Sequence, residues 1–210
     1  MLIALLIAFQ WNNFRALTFF LFQSEEKIAE MGVQNAQAIT KAMSKVPGIT
    51  LRELTKDELE MLSAGEIAPE DAVILILDEN ETAETPLSSV PDIVDYQARL
   101  AEALAEVYVL KATFSNSLES LKDSAIAEYK ELTDEERTRS AKLNLGFKYI
   151  GLAGDLESEC DARMDVLLFT IEDALRATGG DLSLISDIRS IYNNEKSIRK
   201  AEYLSLYNSL

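Results

Sequence analysis

Two long stretches in the second half of the chain repeat apolar or small residues at alternating steps of three and four. The first stretch begins at Leu100 and the second at Gly146. This spacing places about one side chain per turn on the same face of an α-helix, whereas a strand would need a step of two. We therefore predict two long helices, each with one buried face. The members are Leu100, Ala103, Val107, Leu110, Phe114, Ser117, Leu121 and Ser124 in the first helix, and Gly146, Ile150, Ala153, Glu157, Cys160, Met164, Leu167, Ile171 and Ala174 in the second.

Signals at the ends of these helices predict how they connect. Thr133 followed by Glu136 has the capping-box spacing that opens a helix. The sequence TGGD ends that helix and supplies Asp181 as the N-cap of the next one, whose apolar face is interrupted by Glu195. Because short connections between long helices favour antiparallel neighbours, we predict an antiparallel three-helix bundle, or coiled-coil module, over residues 93–210.

Residues 24–78 are predicted to form a small helical segment. The whole chain has 8 Gly and 4 Pro among 210 residues, which favours helices with few turns. Thr55 with Glu58 has the capping-box spacing, and Pro69 stands where the first turn of a helix accepts proline. The run AVILIL that follows fits a helix or a buried strand, and we favour the helix because no partner strand is evident elsewhere. Residues 79–92 have the composition of an exposed acidic linker, and they are the predicted domain boundary.

Residues 1–23 are predicted to be a membrane anchor. They are mostly Leu, Ile, Ala and Phe on both sides of QWNNFR, and their length is close to the roughly 20 residues with which a helix crosses a bilayer. Asn12, Asn13 and Arg15 oppose this interpretation, since an arginine at the bilayer centre costs about 2.5–3.5 kcal/mol. Two alternatives are open. A signal peptide would want a basic start and a small-residue cleavage site, and a soluble helix would have to bury more apolar surface than one face can hide.

The composition excludes several classes of function. The chain has no histidine, which removes serine and cysteine triads, H-E-x-x-H metalloproteases and Glu-x-x-His di-iron sites, and leaves carboxylate-only or lysine-based chemistry. Its single cysteine, Cys160, cannot form an internal disulfide or a C-x-x-C site. A net charge of −16 repels phosphate backbones, so we expect no nucleic-acid partner. We expect no catalytic residue, no cofactor and no metal ligand, and hence no enzyme.

The sequence LESECDARMD comes closest to a site, because it gathers Glu157, Cys160, Asp161 and Asp165 within about two helical turns. A metal site would need further ligands from another helix, and none is evident. We therefore interpret Cys160 as a small buried side chain beside a paired glutamate. Glu157 and Glu195 both interrupt apolar faces. They are expected to be ion-paired or to lie at the edges of those faces, while a carboxylate pair of the glycosidase kind would need a cleft that a narrow helical core does not offer.

Two spacings in the C-terminal half are distinctive: Glu-Cys-Asp within LESECDARMDVLL, and Glu-Lys-x-x-x-Lys-x-x-Tyr-Leu-Ser within NNEKSIRKAEYLSLY. Through them, residues 107–207 resemble a group of uncharacterised membrane-anchored helical proteins of Clostridia-like bacteria. The resemblance implies an N-terminal membrane segment followed by a helical part that faces outward from the cell. It implies no reaction, cofactor or catalytic residue.

The sequence thus predicts a membrane-anchored, non-catalytic helical interaction or scaffold protein of the cell envelope. We expect it to bind a protein partner, or a second copy of itself, through its helical faces. One alternative is an extracytoplasmic sensor module that binds a small ligand between helices, close to Glu157 and Glu195. Another is a soluble cytoplasmic helical protein, for which residues 1–23 would have to be buried.

Overall fold

A computed structural model of the chain describes residues 25–43, 45–46, 48–49, 51–77 and 91–209. Within these ranges the chain forms six α-helices and no β-strand, although Leu51 and Leu77 form an isolated antiparallel bridge. The helices are α1 (Glu25–Met43), α2 (Lys56–Ala64), α3 (Pro69–Ile76), α4 (Pro91–Glu131), α5 (Arg139–Thr178) and α6 (Ser183–Ser209). The prediction of an all-α protein is confirmed.

The two short helices begin and end where the sequence predicts. Thr55 is the N-cap of α2, and its hydroxyl accepts a hydrogen bond from the backbone N–H of Glu58, with 3.3 Å between the heavy atoms. The Glu58 carboxylate in turn accepts from the backbone N–H of Thr55 at 2.8 Å, which completes the capping box. Gly65 ends α2 with φ of 72°, a left-handed conformation that glycine adopts without strain. Pro69 opens α3, and the AVILIL run is helical as far as Ile76.

Glu58 also holds the chain that precedes α2. The guanidinium of Arg52 donates two hydrogen bonds to the Glu58 carboxylate, each 2.8 Å long. These bonds and the one from Thr55 lower the pKa of Glu58 from 4.5 to about 2, because they stabilise the ionised form. The start of α2 therefore depends on an ionised carboxylate that both caps the helix and fixes the preceding residues.

The helices α2 and α3 pack on the first half of α4. They contribute to one buried cluster that consists of Leu62, Ala72, Val73, Ile76, Ala105 and Val109. Ala105 is fully buried, so the two short helices approach the α4 backbone closely at this point. The short helices thus share a hydrophobic core with the long one.

The long helices α4 and α5 form an antiparallel hairpin. Arg99, near the start of α4, lies 3.8 Å from Asp173, near the end of α5. At the other end, Lys148 lies 2.5 Å from Glu128. The order of contacts is reversed between the two helices, as the short connection of residues 132–138 requires.

The connection between α4 and α5 differs from the prediction in one respect. The carboxylate of Glu136 accepts a hydrogen bond from the backbone N–H of Thr133 at 2.9 Å, but the backbone N–H of Glu136 donates to the carbonyl of Thr133 and closes a turn. The N-cap of α5 is Thr138, whose hydroxyl accepts from the backbone N–H of Ala141 at 3.1 Å. The prediction that Thr133 opens this helix is therefore wrong, because its capping pattern stabilises a turn that precedes the helix.

The end of α5 agrees with the sequence. Gly179 adopts φ of 70°, and its N–H donates to the carbonyl of Leu175. The carboxylate of Asp181 accepts from the backbone N–H of Ser183 at 2.9 Å and from the Ser183 hydroxyl at 2.7 Å, which lowers the pKa of Asp181. Asp181 thus caps α6 as predicted.

The described residues divide into two compact units. One consists of α1 up to Ala42 and of α6 from Asp187 onward, and the other contains residues 43–186. Two helices of the predicted three-helix bundle over residues 93–210 therefore pair in one unit, while most of the third belongs to the unit that contains α1. An antiparallel bundle of all three helices is not confirmed.

The predicted anchor and the predicted linker fall largely outside the described part of the chain. Residues 1–23 and residues 79–90 are not described, whereas the last two positions of the predicted linker already belong to α4. Among the residues that the structure describes, no helix is sufficiently long and apolar to cross a bilayer. The membrane anchor at residues 1–23 stays a prediction.

Candidate interaction surface

The part of the α4–α5 hairpin that is distant from its connection has a continuous hydrophobic contact. We call it the hairpin base, and it consists of residues 100–114 of α4 and residues 160–175 of α5. Its buried side chains are each at most 8 % exposed, and in α5 they follow the spacing that the sequence predicts. The buried residues of α5 are Cys160, Met164, Leu167, Leu168, Ile171, Ala174 and Leu175.

The other part, the hairpin tip, is held together differently. It consists of residues 115–131 of α4 and residues 139–157 of α5, and none of the α5 residues in it is buried. Glu128 of α4 accepts a hydrogen bond from the Tyr149 hydroxyl at 3.0 Å and another from the Lys148 ammonium at 2.5 Å. These two bonds lower the pKa of Glu128, and the bond to Glu128 raises the pKa of Lys148. Polar contacts thus join the two helices at Glu128, while buried apolar side chains in the tip are reduced to Leu118 of α4.

The contact face of α5 in the tip passes through Tyr149 and not through its neighbour Ile150. Ile150 is 55 % exposed, so its predicted place in the buried face is wrong. Gly146, Ala153 and Glu157 are half-buried, and the predicted face is fully buried only from Cys160 onward. The shift of one residue has a physical cause, because the Tyr149 hydroxyl reaches the Glu128 carboxylate on α4, whereas Ile150 is left 55 % exposed.

An apolar row follows from this shift. Leu143, Phe147, Ile150 and Gly154 are separated by steps of four, three and four residues, so they share one face of α5. Leu143 is 42 % exposed, and Phe147 and Ile150 are each 55 % exposed. We call these four residues the tip stripe. Single exposed apolar residues are ordinary, but three large ones on consecutive turns of one helix form a patch, and such patches mark binding surfaces.

Two glycines in and beside the tip stripe have open space at the place of a Cβ atom, as far as the described residues show. A Cβ atom added at Gly151 or at Gly154 would meet nothing within 4 Å apart from the local helix backbone. Glycine in the interior of a helix costs about 1 kcal/mol relative to alanine. The chain therefore carries a cost in helix stability at two positions where an alanine would fit.

The charges along this part of α5 are segregated. Residues 139–150 contain Arg139, Lys142 and Lys148 and no acid. Residues 151–162 contain four acids, Asp155, Glu157, Glu159 and Asp161, and no base. The tip stripe spans the boundary between the basic and the acidic segment, although the chain as a whole is strongly acidic.

A second, smaller apolar feature lies on the base. Val166 and Phe169 are 66 % and 73 % exposed, and they lie on a different side of α5 from the buried face. They are flanked by the acids Asp165 and Glu172 along the helix and have no apolar row beside them. Phe169 is therefore a useful control for Phe147, since both are exposed phenylalanines on the same helix.

The residues of the LESECDARMD stretch do not form a site among themselves. Cys160 is 5 % exposed and belongs to the core of the base, in agreement with the prediction. Asp161 and Glu157 are half-buried, whereas Asp165 is exposed. Across the described ranges, no group of three or more His, Cys, Asp and Glu residues is placed so that it could hold a metal ion.

Glu195 lies in the core of the other unit. It is 6 % exposed, and its Oε2 accepts a hydrogen bond from Nδ2 of Asn35 on α1 at 2.7 Å. The same amide nitrogen donates to the carbonyl of Ile191 at 3.1 Å, and Arg199 lies 3.2 Å from Oε1 of Glu195. Glu195 is ion-paired, but with Arg199 of its own helix and not with a base across helices as expected. Its partner across the helices is the Asn35 amide, which the sequence analysis missed.

This polar cluster aligns α1 with α6. On one side of it, Ile28 of α1 packs with Ile198 of α6, which shows that the two helices are antiparallel. A buried amide that binds a buried carboxylate tolerates one alignment of the helices, because any slip leaves both groups without hydrogen bonds. Glu157 belongs to the unit of residues 43–186 and Glu195 to this one, and the predicted ligand pocket near both glutamates stays untested.

No protein-family model, no curated protein and no solved structure matches this chain. The resemblance to membrane-anchored proteins of Clostridia-like bacteria therefore stays a prediction. The tip stripe is the surface that the sequence analysis missed. A signal for it was present, since Leu143, Phe147 and Ile150 repeat at steps of four and three, although Ile150 alone of the three was assigned to the face predicted to be buried.

Proposed function

We propose that this chain is a non-catalytic helical interaction or scaffold protein, held at a membrane through residues 1–23, that presents the α4–α5 hairpin to a protein partner. The observation that carries the proposal is the tip stripe, where three large apolar side chains on consecutive turns are 42–55 % exposed. Burying such side chains against a partner is favourable because it removes apolar surface from water. The buried apolar contacts of the hairpin base hold α4 and α5 together and so fix the helix that carries this surface.

The absence of histidine from the sequence supports the non-catalytic part of the proposal, since imidazole is the usual general base near neutral pH. The position of the predicted anchor supports the other part. Residues 1–23 directly precede α1, so a membrane-bound start would confine the hairpin to a thin layer above the bilayer. Confinement raises the effective concentration of hairpin and partner and strengthens a weak contact. We further propose that the hairpin faces outward from the cell, as the resemblance implies.

Of the three-helix module predicted over residues 93–210, this function needs only α4 and α5.

A photo-crosslinking residue in place of Phe147 tests directly, in cells, whether the tip stripe contacts a protein. We expect covalent products that contain a protein, and no such products from the same residue placed at Lys56, whose side chain is 88 % exposed and lies outside the stripe. Absence of any product from position 147 would contradict the proposal.

The anchor needs a separate test. The full chain and a chain that begins at Ser24 are expressed in parallel, and membranes are washed with carbonate. We expect the full chain to stay in the washed membrane and the shorter chain to be released. Release of both chains would contradict the membrane anchor. It would not affect the proposal that the tip stripe binds a protein.

A further inference from the structure

We infer that the tip stripe binds a second copy of this chain, with the two α5 helices antiparallel around a two-fold axis close to Ile150. The inference rests on the proposed function and names its partner. Three observations point to a second copy: the apolar row, the open glycines and the segregated charges.

The apolar row is self-complementary around Ile150. A two-fold axis at this residue brings Ile150 of one copy against Ile150 of the other. It also brings Phe147, three residues before the axis, close to Gly154, four residues after it, with an offset of one residue or about 1.5 Å along the helix. The same pairing occurs twice, because an interface with two-fold symmetry uses the same patch on both copies.

The glycines provide the space that this pairing needs. Open space surrounds the position that a Cβ atom would take at Gly154, so the ring of Phe147 from the other copy can lie against the helix backbone. Gly151 is adjacent and equally open. Helices approach closely where small residues lie at the contact, which gives a role to two glycines whose Cβ positions are open among the described residues.

The charges favour association with a second copy of the chain whose α5 runs antiparallel to the first. The same two-fold axis places Arg139, eleven residues before Ile150, opposite Asp161, eleven residues after it. Arg139 and Asp161 share the face of Ile150, because eleven residues are close to three helical turns, so this opposite-charge pair occurs twice in the dimer, whereas Lys148 is bonded to Glu128 of its own chain. A parallel arrangement would put like charges together, which disfavours association.

The size of the surface predicts a weak and reversible dimer. One helix-to-helix contact over about four turns buries on the order of 1,000 Å² in total, near the lower limit for specific interfaces. We therefore expect dissociation constants on the order of micromolar for the free chain. Anchoring at a membrane would raise the dimeric fraction, since it concentrates the chains in two dimensions.

Disulfide trapping of the full chain in membranes or detergent tests the contact and its direction. Ile150→Cys lies on the axis and is expected to give a disulfide-linked dimer under mild oxidation. Leu143→Cys is expected to give none, because the two copies of residue 143 are fourteen residues apart along antiparallel helices, or about 21 Å at 1.5 Å per residue. The unmodified chain, whose single Cys160 is buried, supplies the background.

Second changes in the Ile150→Cys chain test the packing. Phe147→Glu and Gly154→Ala should each lower the trapped fraction on the order of tenfold, as the loss of a central contact does. Phe169→Glu and Gly32→Ala are the matched controls, and they should leave it unchanged. Gly32 is also a helical glycine with open space around it, on α1. Gly154→Ala should keep or raise the unfolding temperature, so a lost dimer cannot be attributed to misfolding.

Six outcomes would overturn the inference. Four of them are no dimer from Ile150→Cys above background, a dimer from Leu143→Cys, a dimer that survives both Phe147→Glu and Gly154→Ala, and a photo-crosslink from position 147 that maps to residues 1–24 of the same chain. A crosslink from position 147 to a different protein would also overturn it, while the proposed function would stand. If the photo-crosslinking residue at position 147 gives no protein product, both the inferred dimer and the proposed function are contradicted.

Discussion

The base and the tip of the hairpin are built from the same two helices, yet they keep their helices together in different ways. In the base, Leu104 and Ile171 are fully buried, and α2 and α3 cover a further face of α4. In the tip, Phe147 and Ile150 are half exposed, and Tyr149 and Lys148 reach Glu128 through polar bonds. Regular apolar spacing along a helix therefore gives a buried face only where neighbouring helices pack against it.

The difference also separates stability from function. Apolar contacts that a chain makes with itself stabilise the fold, whereas apolar side chains left in water cost free energy unless a partner covers them. The base therefore stabilises the hairpin, and the tip presents a surface. Substitutions at matched positions test whether the base stabilises the hairpin while the tip does not.

The largest expected effect comes from truncating the same residue type in the two halves. Ile171→Ala removes a fully buried side chain of the base and should lower the free energy of unfolding by about 4 kcal/mol, through lost burial and the cavity that remains. Ile150→Ala in the tip should change it by less than about 0.5 kcal/mol in dilute solution. Urea unfolding followed by circular dichroism measures both. Equal losses would contradict the division.

A smaller loss is expected where α3 meets α4. Ile76 is 1 % exposed within the cluster that joins the short helices to Ala105 and Val109. Ile76→Ala should cost about 2–3 kcal/mol, less than Ile171→Ala because a helix of eight residues can shift to fill part of the cavity. Leu59→Ala on the exposed side of α2 is the control, with a change below about 0.5 kcal/mol. If Ile76→Ala also leaves the free energy of unfolding unchanged, the stability of the base does not depend on the packing of α2 and α3.

Two glycine substitutions should have opposite signs. Gly154→Ala should stabilise the monomer by about 1 kcal/mol, because alanine is the better helix former and its Cβ meets no neighbour. Gly179→Ala should destabilise it by about 1 kcal/mol, because its φ of 70° is a conformation that side chains strain. Thermal unfolding at low concentration measures both. A loss of stability in Gly154→Ala would show that the tip is packed more closely than described.

The smallest expected effect concerns pH. The folded-state pKa of Glu58 is lowered to about 2, chiefly by hydrogen bonds from Arg52 and also from Thr55. A lowered pKa means that the ionised group stabilises the fold above its unfolded pKa of about 4.5, and that this contribution is lost as the pH falls towards 2. Glu58→Gln should therefore lower stability at pH 7, less so at pH 3, and the difference should vanish only once the pH has fallen below the folded-state pKa of about 2.

Glu136 in the connection offers the comparison for Glu58. Its pKa is lowered by hydrogen bonds from Thr133 alone, without an arginine. We expect Glu136→Gln to have a smaller effect than Glu58→Gln at pH 7, in chemical denaturation of both variants at pH 7 and pH 3. The opposite order would show that the connection at the tip is the more firmly held end of the hairpin.

Local chemistry made much of the fold predictable. Thr55 with Glu58, Pro69, Gly179 and Asp181 all act where the sequence placed them, because caps and turns depend on residues a few positions apart. Thr133 shows the limit of such signals. The same spacing closes a turn there, since the backbone hydrogen bond within the turn competes with the start of a helix.

Long-range packing was less predictable. The spacing that placed Ile150 on a buried face also fits Tyr149 one residue earlier, and the position of Glu128 on the facing helix decides between them. Asn35 and Glu195 are 160 positions apart, so nothing local indicates that they meet. The tip stripe was missed for the same reason, because exposure depends on which neighbours are present.

Hydrogen exchange of the full chain at two concentrations, well below and well above the micromolar range, tests the division most directly. We predict that backbone amides of residues 143–154 become more protected at the higher concentration, while those of residues 160–175 exchange equally slowly at both. Phe147→Glu should abolish the difference at the tip. Protection that does not change with concentration, or that rises equally in base and tip, would contradict the account.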